Sequence, residues 1–161
     1  MKKVLFLHLP KTAGQSVHQL LLDTHGSENV CPARDNIQLA GITAEELEQY
    51  SVYSGHYDWN HFDSVKSDLF TFTILRDPLD RLLSFYFYLR EQAVVFKSRG
   101  ELDSKPGLNA ALQNTPYEYF VDPNNVHRAF IDENFDNFYT YFFAGRCFSA
   151  RGKLNLSLIH I

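Results

Sequence analysis

The sequence has little cysteine, no long apolar run and no surplus of positive charge, and each shortage removes a class of protein. Only two cysteines occur, Cys31 and Cys147. Neither belongs to a CxxC pair, so no zinc site or disulfide framework can be read, and two reduced thiols are expected. Lysine and arginine number 15 against 19 acidic residues, a formal charge of -4. General nucleic-acid binding needs a basic surface to neutralise phosphates, so that class is set aside; a local basic pocket remains compatible with any net charge. The opening MKKVLFLHL imitates a secretory leader, but its apolar run is short and Pro10-Lys11 interrupts it. No later stretch approaches the ~20 apolar residues of a membrane helix. A soluble, cytoplasmic chain is expected.

What is present is aromatic. Fourteen Phe, 9 Tyr and 1 Trp can furnish a core, and 45% hydrophobic with 21% charged residues is a globular balance. A length of 161 residues fits a single domain over residues 1–161. Residues 4–7 (VLFL) form a short apolar run that ends at His8-Leu9-Pro10, the pattern of a strand buried on both faces. After the loop, Val17, Leu20 and Leu21 fall at helical spacing, with Ser16 near the start. Residues 23–42 are mixed and polar and read as loop. Thr43 and Glu46 have capping-box spacing, which predicts a short helix to about Gln49.

Val52-Tyr53-Ser54 reads as a weak second strand before Gly55-His56, and residues 69–75 (LFTFTIL) as the best strand of the chain. Asp77 and Pro78 then predict a helix start, with Leu79, Leu82, Leu83, Tyr86 and Leu89 along one face and an end before Gly100. Residues 98–109 read as loop, Thr115-Pro116 as the start of a short helix, and residues 130–143 as helix. The alternating tail LNLSLIHI reads either as a terminal strand or as the mark of a C-terminally truncated chain. Strands alternating with helices predict an α/β domain around a mostly parallel sheet.

In such sheets ligands bind beyond the carboxyl ends of the strands. Three polar clusters fall there: the loop Pro10-Lys11-Thr12-Ala13-Gly14-Gln15-Ser16, His56, and Arg76. A small-residue loop entering a helix offers backbone N–H groups to an anion, and Lys11 adds a point charge while Thr12 and Ser16 add hydroxyls. The order is not the Walker one, since Lys11 precedes Gly14. On its own the loop reads first as an ordinary βα turn with a solvated lysine. Arg76 can fork onto a phosphate or pair with Asp80. His56 can take a hydroxyl proton near neutral pH, but a lone histidine is more often a packing residue. His8 is expected to orient the loop, His61 to be solvated, and Arg81 to be structural. The Phe85-Tyr86-Phe87-Tyr88 run is expected to pack the helix rather than to seat a sugar.

Together these segments resemble a known family. FLHLPKTAGQS is similar to the 5′-phosphosulfate loop of sulfotransferases that use 3′-phosphoadenosine 5′-phosphosulfate (PAPS), and TILRDPLDRLLSFYFYLR to their 3′-phosphate motif. YSGHYDW resembles the segment that carries the catalytic histidine in carbohydrate sulfotransferases of the heparan sulfate 2-O-sulfotransferase type (sulfotransferase family 2). The likeness covers residues 3–90 and, more weakly, 137–145. It implies a P-loop-like three-layer fold. It also implies that Lys11 contacts the leaving phosphate, that Thr12, Ala13, Gly14, Gln15 and Ser16 cradle the 5′ side, and that Arg76 and Ser84 hold the 3′-phosphate. His56 is the implied general base, with no metal. Ala13 departs from the pattern, because many relatives have glycine there. Relatives also usually have more chain beyond the region where this one stops, and many animal ones carry a membrane anchor, so a bacterial-type soluble enzyme or an excised domain is expected.

The reading is a PAPS-dependent sulfotransferase acting on a hydroxyl, of a carbohydrate first of all. Two rivals stand beside it. One is a P-loop kinase or nucleotide hydrolase, which would need magnesium and a carboxylate such as Asp77. The other is a non-catalytic nucleotide-binding module. A strongly anionic acceptor would require Arg90, Lys97, Arg99 and Lys105 to form a local patch.

Overall fold

The apolar run at the start of the chain does become a strand, β1 (Lys3–Leu7), with Leu5, Phe6 and Leu7 buried. In the computed structural model, which describes residues 2–63, 65, 68–122 and 127–150, β1 is the centre of a three-stranded parallel sheet. β2 (Val52–Gly55) pairs on one side and β3 (Leu69–Phe72) on the other. The order 2-1-3 sends the chain first to one side of β1 and then to the other, so the carboxyl end of β1 is the topological switch point. The α/β class with a parallel sheet is as expected. The tail at residues 154–161, expected as a strand, lies outside the described residues.

The chain packs as two units, Met1–Arg76 joined by the described residues from Tyr141 onward, and Asp77–Thr140. In the first, α1 (Gly14–His25) follows β1, and Phe6, Leu21, Val30 and Val52 form its core. Two expectations need correction. Residues 23–42 are not mere loop: they contain a 3-10 turn at Ser27–Asn29 and the short helix α2 (Asn36–Leu39). Part of the stretch also runs beside β2, through the bridges Val30–Val52 and Asp35–His56. These pairings join residues more than twenty positions apart, which local patterning cannot report. And β3 stops at Phe72 rather than at residue 75, because β1 offers partners only up to Phe6 in that register. The next residue, Thr73, reaches back with its hydroxyl to the Leu7 carbonyl at 2.6 Å. The Thr43 capping box is present and starts α3 (Ala44–Leu47).

The second unit is helical. Asp77 caps α4 (Pro78–Ser98) by accepting the N–H groups of Leu79 and Asp80 at 3.0 and 3.1 Å, and Pro78 fits the first turn because its missing N–H would have had no partner there. The buried face is Arg81, Tyr86, Leu89 and Ala93, whereas Leu79 is 63% exposed. Arg81 is structural, as expected: its guanidinium lies 4.1 Å over the Phe138 ring and donates to the Asn134 carbonyl. Tyr86 and Leu89 pack with Ala110 and Ala111 of α5 (Pro106–Gln113), Tyr119 of α6 (Pro116–Val121) and Ile131 of α7 (Arg128–Phe135). The expected loop at residues 98–109 therefore yields to α5 from Pro106 on, because Ala110 and Ala111 fill this core. Of the aromatic run in α4, Tyr86 is buried and Phe85 packs on the core, while Phe87 and Tyr88 face outward. The expected helix at 130–143 is divided between α7 and α8 (Phe138–Gly145). Among the described residues no helix is long and apolar enough to cross a membrane.

Candidate active site

The parallel register sets the ends of β1 and β2 side by side, with Leu7 opposite Gly55 and the His8 N–H donating to the Gly55 carbonyl at 2.9 Å. Beyond this edge the chain must turn sharply into α1. Two residues that are not glycine take left-handed backbone there, Lys11 (φ 68°) and Ala13 (φ 64°). The Thr12 hydroxyl, expected as a donor to a ligand, instead donates to the Leu9 carbonyl at 2.8 Å and closes the loop. Strain held in a loop of this kind is typical of sites that aim backbone N–H groups at an anion.

Helix α1 begins with no side-chain cap and no acidic residue in its first turn, which leaves the positive end of its dipole uncompensated. Ala13, Gln15 and Ser16 are exposed at this end, and Lys11 is half-buried. The arrangement suits a phosphate or sulfate group. Ala13 carries a measurable cost, since a β-carbon in left-handed backbone is disfavoured by ~1–2 kcal/mol. Ala13→Gly is therefore expected to stabilise the protein by about 1 kcal/mol, read as a higher urea midpoint at unchanged slope. A lower midpoint would contradict the left-handed assignment.

Gly14 lets His8 in. The His8 ring occupies the space where a Gly14 β-carbon would stand, 1.8 Å from that position, so the ring is locked against the first turn of α1. On its other side His8 stacks on His56, ring centroids 4.1 Å apart. His8 thus joins the loop to the expected base, the orienting part foreseen for it. Phe148 meets the His56 ring edge-on at 6.2 Å, and its N–H is held by the Asp58 carboxylate at 2.9 Å. His61 sits in the 3-10 turn Trp59–Phe62 and is exposed, as expected.

The electrostatics of this cluster favour neutral imidazoles. Burial, with the neighbouring His56, Arg34 and His18, lowers His8 to about 3. Burial also lowers His56, reinforced by Arg34 and opposed by the His8 main chain and by Asp35. His18 is lowered by burial and by Arg34. The Nδ1 atoms of His8 and His56 are buried without a hydrogen-bond partner among the described residues. A neutral, half-buried imidazole at a strand end can accept a proton over the whole neutral range.

Residues that the sequence reading passed over complete the site: His18, Arg34, Asp35 and Ser54. The Arg34 guanidinium donates to the Ser54 carbonyl at 2.6 Å and to its hydroxyl at 3.1 Å, and the same hydroxyl meets His18 Nδ1 at 3.0 Å. Of the remaining expected residues, Arg76 closes the first unit and is exposed, and Ser84 is half-buried on α4 in the second. The Asp77 carboxylate, which the metal-dependent rival would need, caps α4 through its Oδ1. No group of three or more His, Cys, Asp or Glu stands ready to hold a metal among the described residues.

A family model described as "Sulfotransferase family" aligns with residues 1–147. No curated protein and no solved structure matches the chain.

Proposed function

We propose, from the premise that this chain belongs to the sulfotransferase family, that it moves a sulfuryl group from PAPS to a hydroxyl of a carbohydrate. The family establishes a sulfotransferase; donor, acceptor and base are this proposal. One observation carries it. His8 bridges the anion-suited loop and His56 at the switch point, touching Gly14 on one side and His56 on the other. A loop that holds the leaving phosphate and a base that meets the acceptor must lie together for in-line transfer.

PAPS supplies an activated sulfur whose departing oxygen carries developing negative charge. In this reading Lys11 and the backbone N–H groups of Ala13, Gly14, Gln15 and Ser16 stabilise that charge without reorganisation. His56, neutral, accepts the acceptor hydroxyl's proton as the oxygen attacks, and the resulting imidazolium later loses it to solvent. Arg76 reads the 3′-phosphate. The scheme needs no metal.

Calorimetric titration with 3′-phosphoadenosine 5′-phosphate, with EDTA present, tests the donor. Tight binding is expected, and Arg76→Ala should weaken it by at least ~2 kcal/mol, about thirtyfold, through loss of a charge-assisted contact. Adenosine 5′-phosphosulfate, which lacks the 3′-phosphate, should be nearly indifferent to that change. No binding, or binding only when magnesium is restored, would overturn the donor assignment; equal losses for both ligands would remove Arg76 from its role.

A further inference from the structure

His56 does not reach the site on β2 alone. The segment before α2 lies parallel to β2, with the Cys31 N–H donating to the Val52 carbonyl at 2.8 Å and the His56 N–H donating to the Arg34 carbonyl at 2.7 Å. Arg34 thus grips the strand end twice, by its main chain at His56 and by its guanidinium at Ser54. Gly55 between them permits this approach: a β-carbon there would come within 2.5 Å of the Arg34 carbonyl oxygen. The opposite edge of Ser54 and Gly55 is held by β1, while His56 itself lies one residue beyond that register.

The charge on Arg34 is as unusual as its grip. It makes no ion pair among the described residues, although it is half-buried. Asp35, the nearest carboxylate in sequence, has its Oδ1 turned to the Gln38 N–H at 2.8 Å as the cap of α2. A half-buried arginine without a carboxylate beside it is less screened than a fully solvated one, and its field acts on what surrounds it. What surrounds it is histidine. His56 is faced by His8 from the end of β1, by Arg34 and Asp35 from the segment before α2, and by the uncharged Phe148. His8 is faced in turn by His56, Arg34 and His18 of α1. Arg34 is the fixed cation among these groups.

We propose that Arg34 is a positioning residue for proton transfer to His56: its two-sided grip sets the strand end that carries the imidazole, and its unpaired charge repels a resting proton from the histidine cluster. The catalytic half of this rests on the reading of His56 as the base. The sign follows directly. A nearby cation disfavours imidazolium, so removing it makes the histidines easier to protonate and moves their titration upward. Activity that requires neutral His56 should then fall away at a higher pH than before.

The experiment compares the intact chain with Arg34→Met and Arg34→Lys. In ligand-free protein, the NMR titrations of His8, His18 and His56 should move upward in Arg34→Met and stay low in Arg34→Lys, which keeps the charge. The His56 amide should exchange faster in Arg34→Met, as its strand end loosens. With PAPS and an alcohol acceptor, Arg34→Met should lower kcat by about tenfold to a hundredfold, with the acid limb displaced upward and the KM for PAPS little changed. Unmoved histidine titrations in Arg34→Met overturn the proposal whether or not any transfer is observed. Moved titrations with an unchanged kcat and acid limb overturn the positioning role. If Arg34→Met does not fold, Arg34→Gln, which keeps a donor toward Ser54 and removes the charge, decides alone: unmoved histidine titrations in it overturn the role of the charge. A wild-type protein that transfers no sulfuryl group defeats the function proposed above, and the titrations still decide the part played by Arg34.

Discussion

His56→Ala is expected to lower turnover by ~10²- to 10⁴-fold, the usual contribution of a positioned general base, and to leave the affinity for 3′-phosphoadenosine 5′-phosphate nearly unchanged. The asymmetry follows from geometry. The anion-suited loop is built from residues 11–16, while His56 stands at the end of β2 and meets that loop through His8. Lys11→Ala should behave differently, losing turnover and donor affinity together, because Lys11 meets the phosphosulfate in the ground state as well. An acceptor with a more acidic hydroxyl should partly rescue His56→Ala and leave Lys11→Ala unrescued, since a nucleophile that is easier to deprotonate needs less help while the leaving group is the same. His8 is a poor substitute base: it is only 6% exposed and is held far from protonation at neutral pH. Normal turnover by His56→Ala with an ordinary alcohol would refute the assignment and leave the exposed His61 as the next candidate, ahead of the enclosed His8. The pH dependence has a defined sign. His56 lies below the ordinary histidine value, so the neutral form persists into mildly acidic solution and the acid limb should lie below pH ~6.5.

Much of this architecture was legible where a few adjacent residues decide the outcome. VLFL ends at a proline-bearing loop and forms β1; Asp77-Pro78 starts α4; Thr43 builds a capping box with the glutamate three residues on, and Thr115-Pro116 starts α6. What escaped depends on partners distant in sequence. Arg34 sits in a stretch with no periodicity, and only the parallel bridge from Asp35 to His56 reveals that it borders the base. The inward face of α4 was misjudged in its first turn for a related reason. Leu79 fits the apolar spacing yet lies outside, while the charged Arg81 is buried because Phe138 and the Asn134 carbonyl receive it. The candidate loop shows both sides. Its anion-suited character follows from small residues ahead of a helix, but the closing of Thr12 onto Leu9 depends on the path the backbone takes through the turn.

The contact between Gly14 and His8 leads to the second large effect. Gly14 is the first residue of α1 and is buried, and a β-carbon there would stand 1.8 Å from His8 Cδ2 and 1.9 Å from Nε2. No rotation of a methyl group avoids such an overlap, so the His8 ring or the start of α1 must move. The ring is confined by stacking on His56 at 4.1 Å and on Phe6 at 5.8 Å. Gly14→Ala is therefore expected to destabilise the protein by ~1–3 kcal/mol, the range for overpacking a close-packed site. It should also lower turnover by more than the stability loss explains, because displacing His8 disturbs the loop and His56 together. The cause can be isolated by a double-mutant cycle. His8→Ala alone should cost stability by leaving a void, yet combining it with Gly14→Ala should restore part of what Gly14→Ala lost, since the added methyl then enters the space the ring vacated. The interaction between the two substitutions should thus be favourable. Simple additivity, with the double variant as unstable as the two losses combined, would show that His8 does not press on the helix start. His8 would then no longer be the bridge between the loop and the base.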